Sequence, residues 1–230
     1  MKVVAGCDRR CGFKRLGIGP IKLGMIFPLT GVVLALASCG PALVVKTAKL
    51  TVSVDDNGQL RTGSSVVTFY CTDSNPALGE MGLGTCKLYG EAVPVDLTQR
   101  RYLFMIFADQ NSYDPDTFIS DIEWSRPTKT ATSWDITREH MPRLVTFDDP
   151  DRPITVKAVP ADALDQIFGK GISLNSVHVE LTDEPETHGQ IYRYLPWLNG
   201  WEATLDGKRI ITSNNLSSQL ESVHFKRTMP

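Results

Sequence analysis

Ala48–Val54, in which apolar and polar residues alternate, and Ser64–Cys71, which is β-branched and aromatic, stand on either side of Asp55-Asp56-Asn57-Gly58. Side chains along a strand point to opposite faces in turn, so the alternation gives the first run one face to bury, and the composition of the second is that of a strand beside it. Asn-Gly accepts the positive φ that a tight hairpin turn demands, and the turn fixes which residues pair. Any fold open to the chain must therefore hold an antiparallel hairpin with a buried face. Similar runs recur downstream. Lys87–Leu97 and Arg101–Ala108 read as two strands joined by a tight turn at Thr98–Arg100, and Arg143–Phe147 pairs with Ile154–Val159 across the polar turn Asp148–Pro153. Ile172–Leu181 alternates most cleanly, and a change of phase near Asn175 predicts a β-bulge there.

Helical signals are few. Asp116–Trp124 has the pattern of a short helix inside Asp109–Met141, a polar, Pro-punctuated stretch whose large apolar anchors are Trp124 and Trp134. Pro160, Ala161 and Asp162 open a second, running to Phe168, because proline suits a first turn and an acid suits the positive end of the helix dipole. Gly169 and Gly171 end it. The predicted fold is mainly β: an antiparallel β-sandwich or barrel-like sheet with one or two short helices, in a single domain over residues 48–230.

The first 47 residues follow another logic. Leu23–Ala37 is an uncharged apolar run of 15 residues, too short for a bilayer core that needs about 20, and of the length of a signal-peptide core. Basic residues precede it and small residues close it. Leu36-Ala37-Ser38-Cys39 resembles the lipobox of bacterial lipoproteins. The resemblance implies removal of residues 1–38, a diacylglyceryl thioether on Cys39, acylation of its new amine, and residues 39–47 as a lipidated tether. Two or more acyl chains, at ~0.8 kcal/mol per buried methylene, hold a protein to a bilayer almost permanently. Gly40 stands where an aspartate would signal inner-membrane retention, which favours the outer membrane. Other readings are an uncleaved membrane helix or an ordinary signal peptide, and Met25 is an alternative start that would shorten the long basic segment.

Six of the 24 basic residues and one of the 26 acidic ones precede Ser38, so the mature chain carries 18 basic and 25 acidic residues, a net charge of −7. An acidic domain without a basic stripe excludes nucleic acid as a partner. Of five cysteines, Cys7 and Cys11 leave with the signal and Cys39 is the lipidation site. Cys71 and Cys86 remain, and an oxidising compartment favours a disulfide between them. Unlinked thiols or half a zinc site are the alternatives, the latter disfavoured because no CxxC spacing is present.

Chemistry is harder to find. There is no GxSxG nucleophile elbow, and Gly63-Ser64-Ser65 reads as polar residues at a hairpin end. His140, His178, His188 and His224 are scattered, with His178 on what should be the solvent face of its strand. No catalytic residue, metal or cofactor is expected. Asp148–Pro153 and Asp114–Asp116 gather carboxylates of the kind calcium prefers, yet they lack the EF-hand spacing, and Asx turns account for both. Tyr194, Trp197 and Trp201 form the most suggestive patch, suited to stacking on sugar rings, to an interface hot spot, or to a core.

Arg61–Val67, Gly90–Leu97, Arg101–Phe107, Phe168–Leu174, Leu181–Pro185 and Leu195–Leu198 together resemble a family of uncharacterised bacterial exported proteins and lipoproteins. That resemblance implies a secreted β-rich fold and brings no activity with it. The expected role is a non-catalytic binding or structural module of the cell envelope, tied to the bilayer through Cys39 and engaging another envelope protein or a glycan. The alternative is a hydrolase acting on a cell-wall or lipid substrate. An enzyme requires a deep pocket with convergent polar groups of displaced pKa; a module requires an exposed apolar or aromatic patch.

Overall fold

The computed structural model describes residues 43–72, 86–97, 100–128, 130–209, 211 and 213–228. Its strands are β1 (Leu43–Asp56), β2 (Gln59–Thr72), β3 (Cys86–Glu91), β4 (Val93–Leu97), β5 (Arg101–Met105), β6 (Ser133–Asp135), β7 (Leu144–Phe147), β8 (Val156–Val159), β9 (Ile172–Leu181) and β10 (Lys226–Arg227). Three short helices accompany them: α1 (Pro115–Trp124), α2 (Leu164–Phe168) and α3 (Leu216–Gln219). Every pairing is antiparallel. The strands form two sheets, ordered β10-β3-β2-β1-β9-β6 and β4-β5-β7-β8. Neither closes on itself, so the fold is a sandwich rather than a barrel.

The β1–β2 hairpin is the spine of the larger sheet. Its turn places Asn57 at φ 56° and Gly58 at φ 84°, the left-handed pair that matches the twist of two strands. Asp55 Oδ1 accepts the Gly58 N–H at 2.6 Å. Alternation puts Ala48, Leu50, Val52 and Val54 on the inner face, all fully buried, and each such Val or Leu contributes ~1.5–3 kcal/mol. β1 begins at Leu43, so residues 43–47, assigned from the sequence to the tether, belong to the strand. On the other side β9 pairs with β1, and its register shifts where Ser53 faces Ser176 but Val54 faces Leu174. Asn175 is the extra residue. The bulge exchanges the faces of the strand, so Ile172 on one side of it and Val177 and Val179 on the other all reach the core.

The run Lys87–Leu97 is not one strand. β3 belongs to the larger sheet and β4 to the smaller, and the chain crosses between them at Ala92. Gly90 permits the corner with φ 132°, where a Cβ would stand 2.9 Å from Val67 Cγ1. The sheets also meet closely at Gly63 of β2, where a Cβ would lie 1.8 Å from the Pro94 carbonyl oxygen of β4.

Apolar residues collect on both sides of the smaller sheet. Val93, Val95, Leu103, Met105 and Leu144 face the larger sheet, α1 and α2. Phe104, Ile106, Val145, Phe147 and Val156 point the other way and are covered by the irregular C-terminal segment through Ile191, Leu195, Leu198, Leu205, Leu220 and Phe225. The protein thus has three layers, with one apolar cluster on each face of the smaller sheet. Backbone bonds join the third layer to the sandwich, from Ala92 N–H to Phe225 O at 2.8 Å and from Phe107 N–H to His224 O at 2.8 Å. The buried Glu91 carboxylate adds two more, accepting the N–H groups of Gly189 at 2.5 Å and Ile191 at 3.0 Å.

Candidate functional site

The aromatic segment lies in this third layer. Short 3-10 turns at Ile191–Arg193 and Pro196–Leu198 bury Ile191, Leu195 and Leu198, and that leaves Tyr194, Trp197 and Trp201 half-buried. Tyr194 meets Tyr102 edge-to-face at 5.1 Å and Trp197 meets Phe147 at 5.9 Å and Trp201 at 5.7 Å. Both indole N–H groups donate within the fold, Trp197 to Pro150 O at 2.8 Å and Trp201 to Thr204 O at 3.2 Å. Burial, with Asp96 nearby, pushes the Tyr194 phenol above its ordinary value. The structure brings Trp197 and Trp201 together with both indole N–H groups engaged internally, while Tyr194 packs against Tyr102 and Phe104, and each of the three rings remains half-exposed.

Cys39 lies outside the described residues. Cys71 and Cys86 face each other across β2 and β3 and are bonded, S–S 2.05 Å, with Cα atoms 4.0 Å apart.

One constellation has no counterpart in the sequence reading. Ser133 and Asp135 alternate on β6, the edge of the larger sheet, and Asp135 pairs with His178 of β9. His178 Nδ1 lies 2.8 Å from Asp135 Oδ1 and Nε2 lies 2.9 Å from Ser133 Oγ. The order Ser–His–Asp, on the correct ring nitrogens, is that of a nucleophile, a base and an orienting acid. The only advance signal is Ser-x-Asp in a strand-like segment with His178 on a solvent face, and polar cross-strand neighbours share that pattern. The histidine side chain is 37 % exposed and the aspartate 68 %, so water surrounds the chain of bonds.

A depression of about 790 Å³ at the hairpin end is lined by Asp55, Asn57, Arg138, Asp162, Asp165 and Ser173 among others. A smaller one of about 210 Å³ adjoins it through Arg138, Ala161 and Leu174, beside the bulge at Asn175. Asp135 lines the smaller of the two, and neither is lined by Ser133 or His178. Tyr194, Asp206 and His224, whose pKa values are displaced, line neither depression. Asp206 is held down to about 2, first by the Ser218 hydroxyl and then by that of Thr204, which donates at 2.6 Å. His224 is buried and pushed below its ordinary value by loss of solvent. Its Nε2–H donates to Tyr113 O at 2.5 Å and its Nδ1 accepts the Glu221 N–H at 2.9 Å. Both groups bind the C-terminal layer together.

The acidic turns are Asx turns: Asp114 Oδ1 accepts the Asp116 N–H at 2.9 Å and Asp149 Oδ1 the Asp151 N–H at 3.1 Å. Among the described residues no cluster of His, Cys, Asp or Glu is arranged to hold a metal, and no helix is long and apolar enough to cross a membrane. No family model, curated protein or solved structure matches the chain.

Proposed function

We propose that this chain is a bacterial lipoprotein of the cell envelope, cleaved before Cys39 and acylated there, whose β-sandwich serves as a non-catalytic binding or structural module for another envelope protein or a glycan. The observation that carries this reading is the order of segments along the chain. A basic stretch and a short apolar run end in Leu36-Ala37-Ser38-Cys39, and β1 begins four residues later at Leu43. Only Gly40, Pro41 and Ala42 stand between the thiol and β1 in the sequence, so acyl chains on Cys39 would hold the folded domain close to a bilayer. The half-exposed ring edges of Tyr194, Trp197 and Trp201 support a binding role, since aromatic rims contribute contact area at low entropic cost. Metabolic labelling with an alkyne palmitate tests the anchor: label is expected on the wild-type chain and absent from Cys39→Ser, and label persisting in the variant refutes the proposal.

A second reading, an envelope hydrolase, has the Ser133–His178–Asp135 chain in its favour. Ser133 Oγ would attack an ester carbonyl while His178 Nε2 takes its proton, the leaving alcohol would recover that proton, and water would release the acyl group. The site lies on an open sheet face. Main-chain N–H groups of a sheet lie in its plane, not above the face on which Oγ stands, so they do not converge on a developing oxyanion. A fluorophosphonate probe discriminates. The module reading expects no adduct, and an adduct that Ser133→Ala abolishes establishes the hydrolase.

A further inference from the structure

We infer that the disulfide-bonded end of the larger sheet rests against the headgroup surface of the anchoring bilayer, and that the hairpin end with its acidic depression is held away from it. The inference rests on acylation at Cys39 and adds an orientation to it. Cys39 precedes Leu43 by four residues, and four residues span at most ~14 Å when fully extended. The start of β1 therefore lies within that distance of the lipid.

The surface at that end suits a bilayer. Val45 pairs with Tyr70, Tyr70 with Lys87, and Thr68 with Tyr89, so Val45, Tyr70, Lys87 and Tyr89 share one face of β1, β2 and β3. The opposite face holds the buried Phe69 and Leu88 and belongs to the core. Lys87 is exposed and the two tyrosines are half-buried. The tyrosine rings meet edge-to-face at 5.4 Å, and the neighbouring Cys71–Cys86 bond ties their strands into one unit. Tyrosine, apolar in its body and polar at its tip, prefers the zone between water and hydrocarbon, and a lysine ammonium beside it pairs with lipid phosphate.

The other end has the opposite character. Asp55, Asp162 and Asp165 outnumber Arg138 in the depression beside the hairpin turn, so its net charge is negative and an anionic headgroup surface repels it. β1 has 14 residues, and at ~3.4 Å each it separates the two ends by about 45 Å. That is several Debye lengths of ~8 Å, and the far carboxylates stand beyond the field of the membrane.

The full-length chain, made in a bacterium that acylates it, carries the photo-crosslinking residue p-azidophenylalanine in place of either Lys87 or Leu60, the exposed apolar residue of the hairpin end. Alkyne palmitate reports the anchor independently, and mass spectrometry after irradiation reads phospholipid adducts. Adducts at position 87 and none at position 60 are expected in palmitate-bearing chains. Palmitate with adducts at position 60, or at neither position, overturns the orientation and leaves the anchor standing. Absence of palmitate overturns the anchor and the orientation with it.

Discussion

Phe225→Ala measures whether the C-terminal segment is a layer of the fold or an appendage. Its ring is fully buried and lies 6.4 Å from Phe104, 6.0 Å from Phe147 and 6.2 Å from Trp197. Removing a buried phenyl group forfeits ~1.5–3 kcal/mol of transfer energy, and the cavity left behind raises the cost to about 3–5 kcal/mol. The upper half of that range applies here. Phe104 and Phe147 stand on β5 and β7, whose ladders fix them, so the cavity cannot collapse cheaply. A domain of this kind holds ~5–15 kcal/mol in all. With a urea slope of about 2 kcal/mol per molar, a loss of about 4 kcal/mol lowers the midpoint by roughly 2 M. The soluble form beginning at Gly40 is unfolded in urea and followed by tryptophan fluorescence and far-ultraviolet dichroism. Leu60→Ala, at an exposed site, serves as a control expected to cost under about 0.5 kcal/mol. A midpoint shift below roughly 0.5 M refutes the reasoning. So does a fluorescence transition that moves while the dichroism transition stays, because the segment would then unfold apart from the sandwich.

Burial lowers the pKa of His224, so the unfolded chain binds the proton more readily than the native one. Its contribution to stability is complete above the ordinary histidine value of about 6.5 and is lost as pH falls below it; urea midpoints at pH 7.5 and 5.5 should differ in the wild type, and His224→Gln should shrink the difference. Reducing Cys71–Cys86, which are 15 residues apart, should cost on the order of 3 kcal/mol in the chain-entropy account, visible as a lower melting temperature in reductant and no change on adding reductant to a double serine variant. Gly63→Ala places a methyl group 1.8 Å from the Pro94 carbonyl oxygen and should cost about 3 kcal/mol or more by forcing β2 and β4 apart, so a melting temperature within error of wild type would contradict the close approach.

The features legible in the sequence are those governed by neighbouring residues. The Asn57-Gly58 turn, the bulge at Asn175 and the helix ending at Trp124 each follow from a local pattern, and each is in the fold. What escapes is set by partners distant along the chain. Lys87–Leu97 looks like one strand because its apolar residues continue through Ala92, and only packing against Val67 reveals the corner at Gly90. Leu103–Ala108 is apolar without alternation because both faces of the smaller sheet are buried. Its second face is covered by a segment almost without strands, in which periodicity carries no signal. Ser133, Asp135 and His178 meet across a strand pair formed by residues more than forty positions apart, so no local motif announces them.

The three-layer arrangement also decides what the aromatic segment can do. A sheet with two apolar faces exposes one of them unless something covers it, and the chain beyond β9 provides the cover. Trp197 and Phe225 are therefore required by the fold whether or not a ligand exists, and the buried halves of Tyr194 and Trp201 are already committed to their ring neighbours. Only ring edges remain for a partner. Such a rim adds contact area without a deep slot, which fits a broad, shallow contact with another macromolecule better than enclosure of a small molecule. The hairpin-end depression, open and edged by carboxylates, lies on a different part of the surface. Truncating Trp201, whose outer edge is exposed and whose N–H is held only by Thr204 O, should thus weaken partner binding more than it weakens folding, whereas truncating Phe225 should do the reverse. A pull-down from detergent-solubilised envelope together with a urea midpoint for each variant separates the two, and unchanged partner capture by Trp201→Ala with wild-type stability in Phe225→Ala would reverse the assignment of cover and contact.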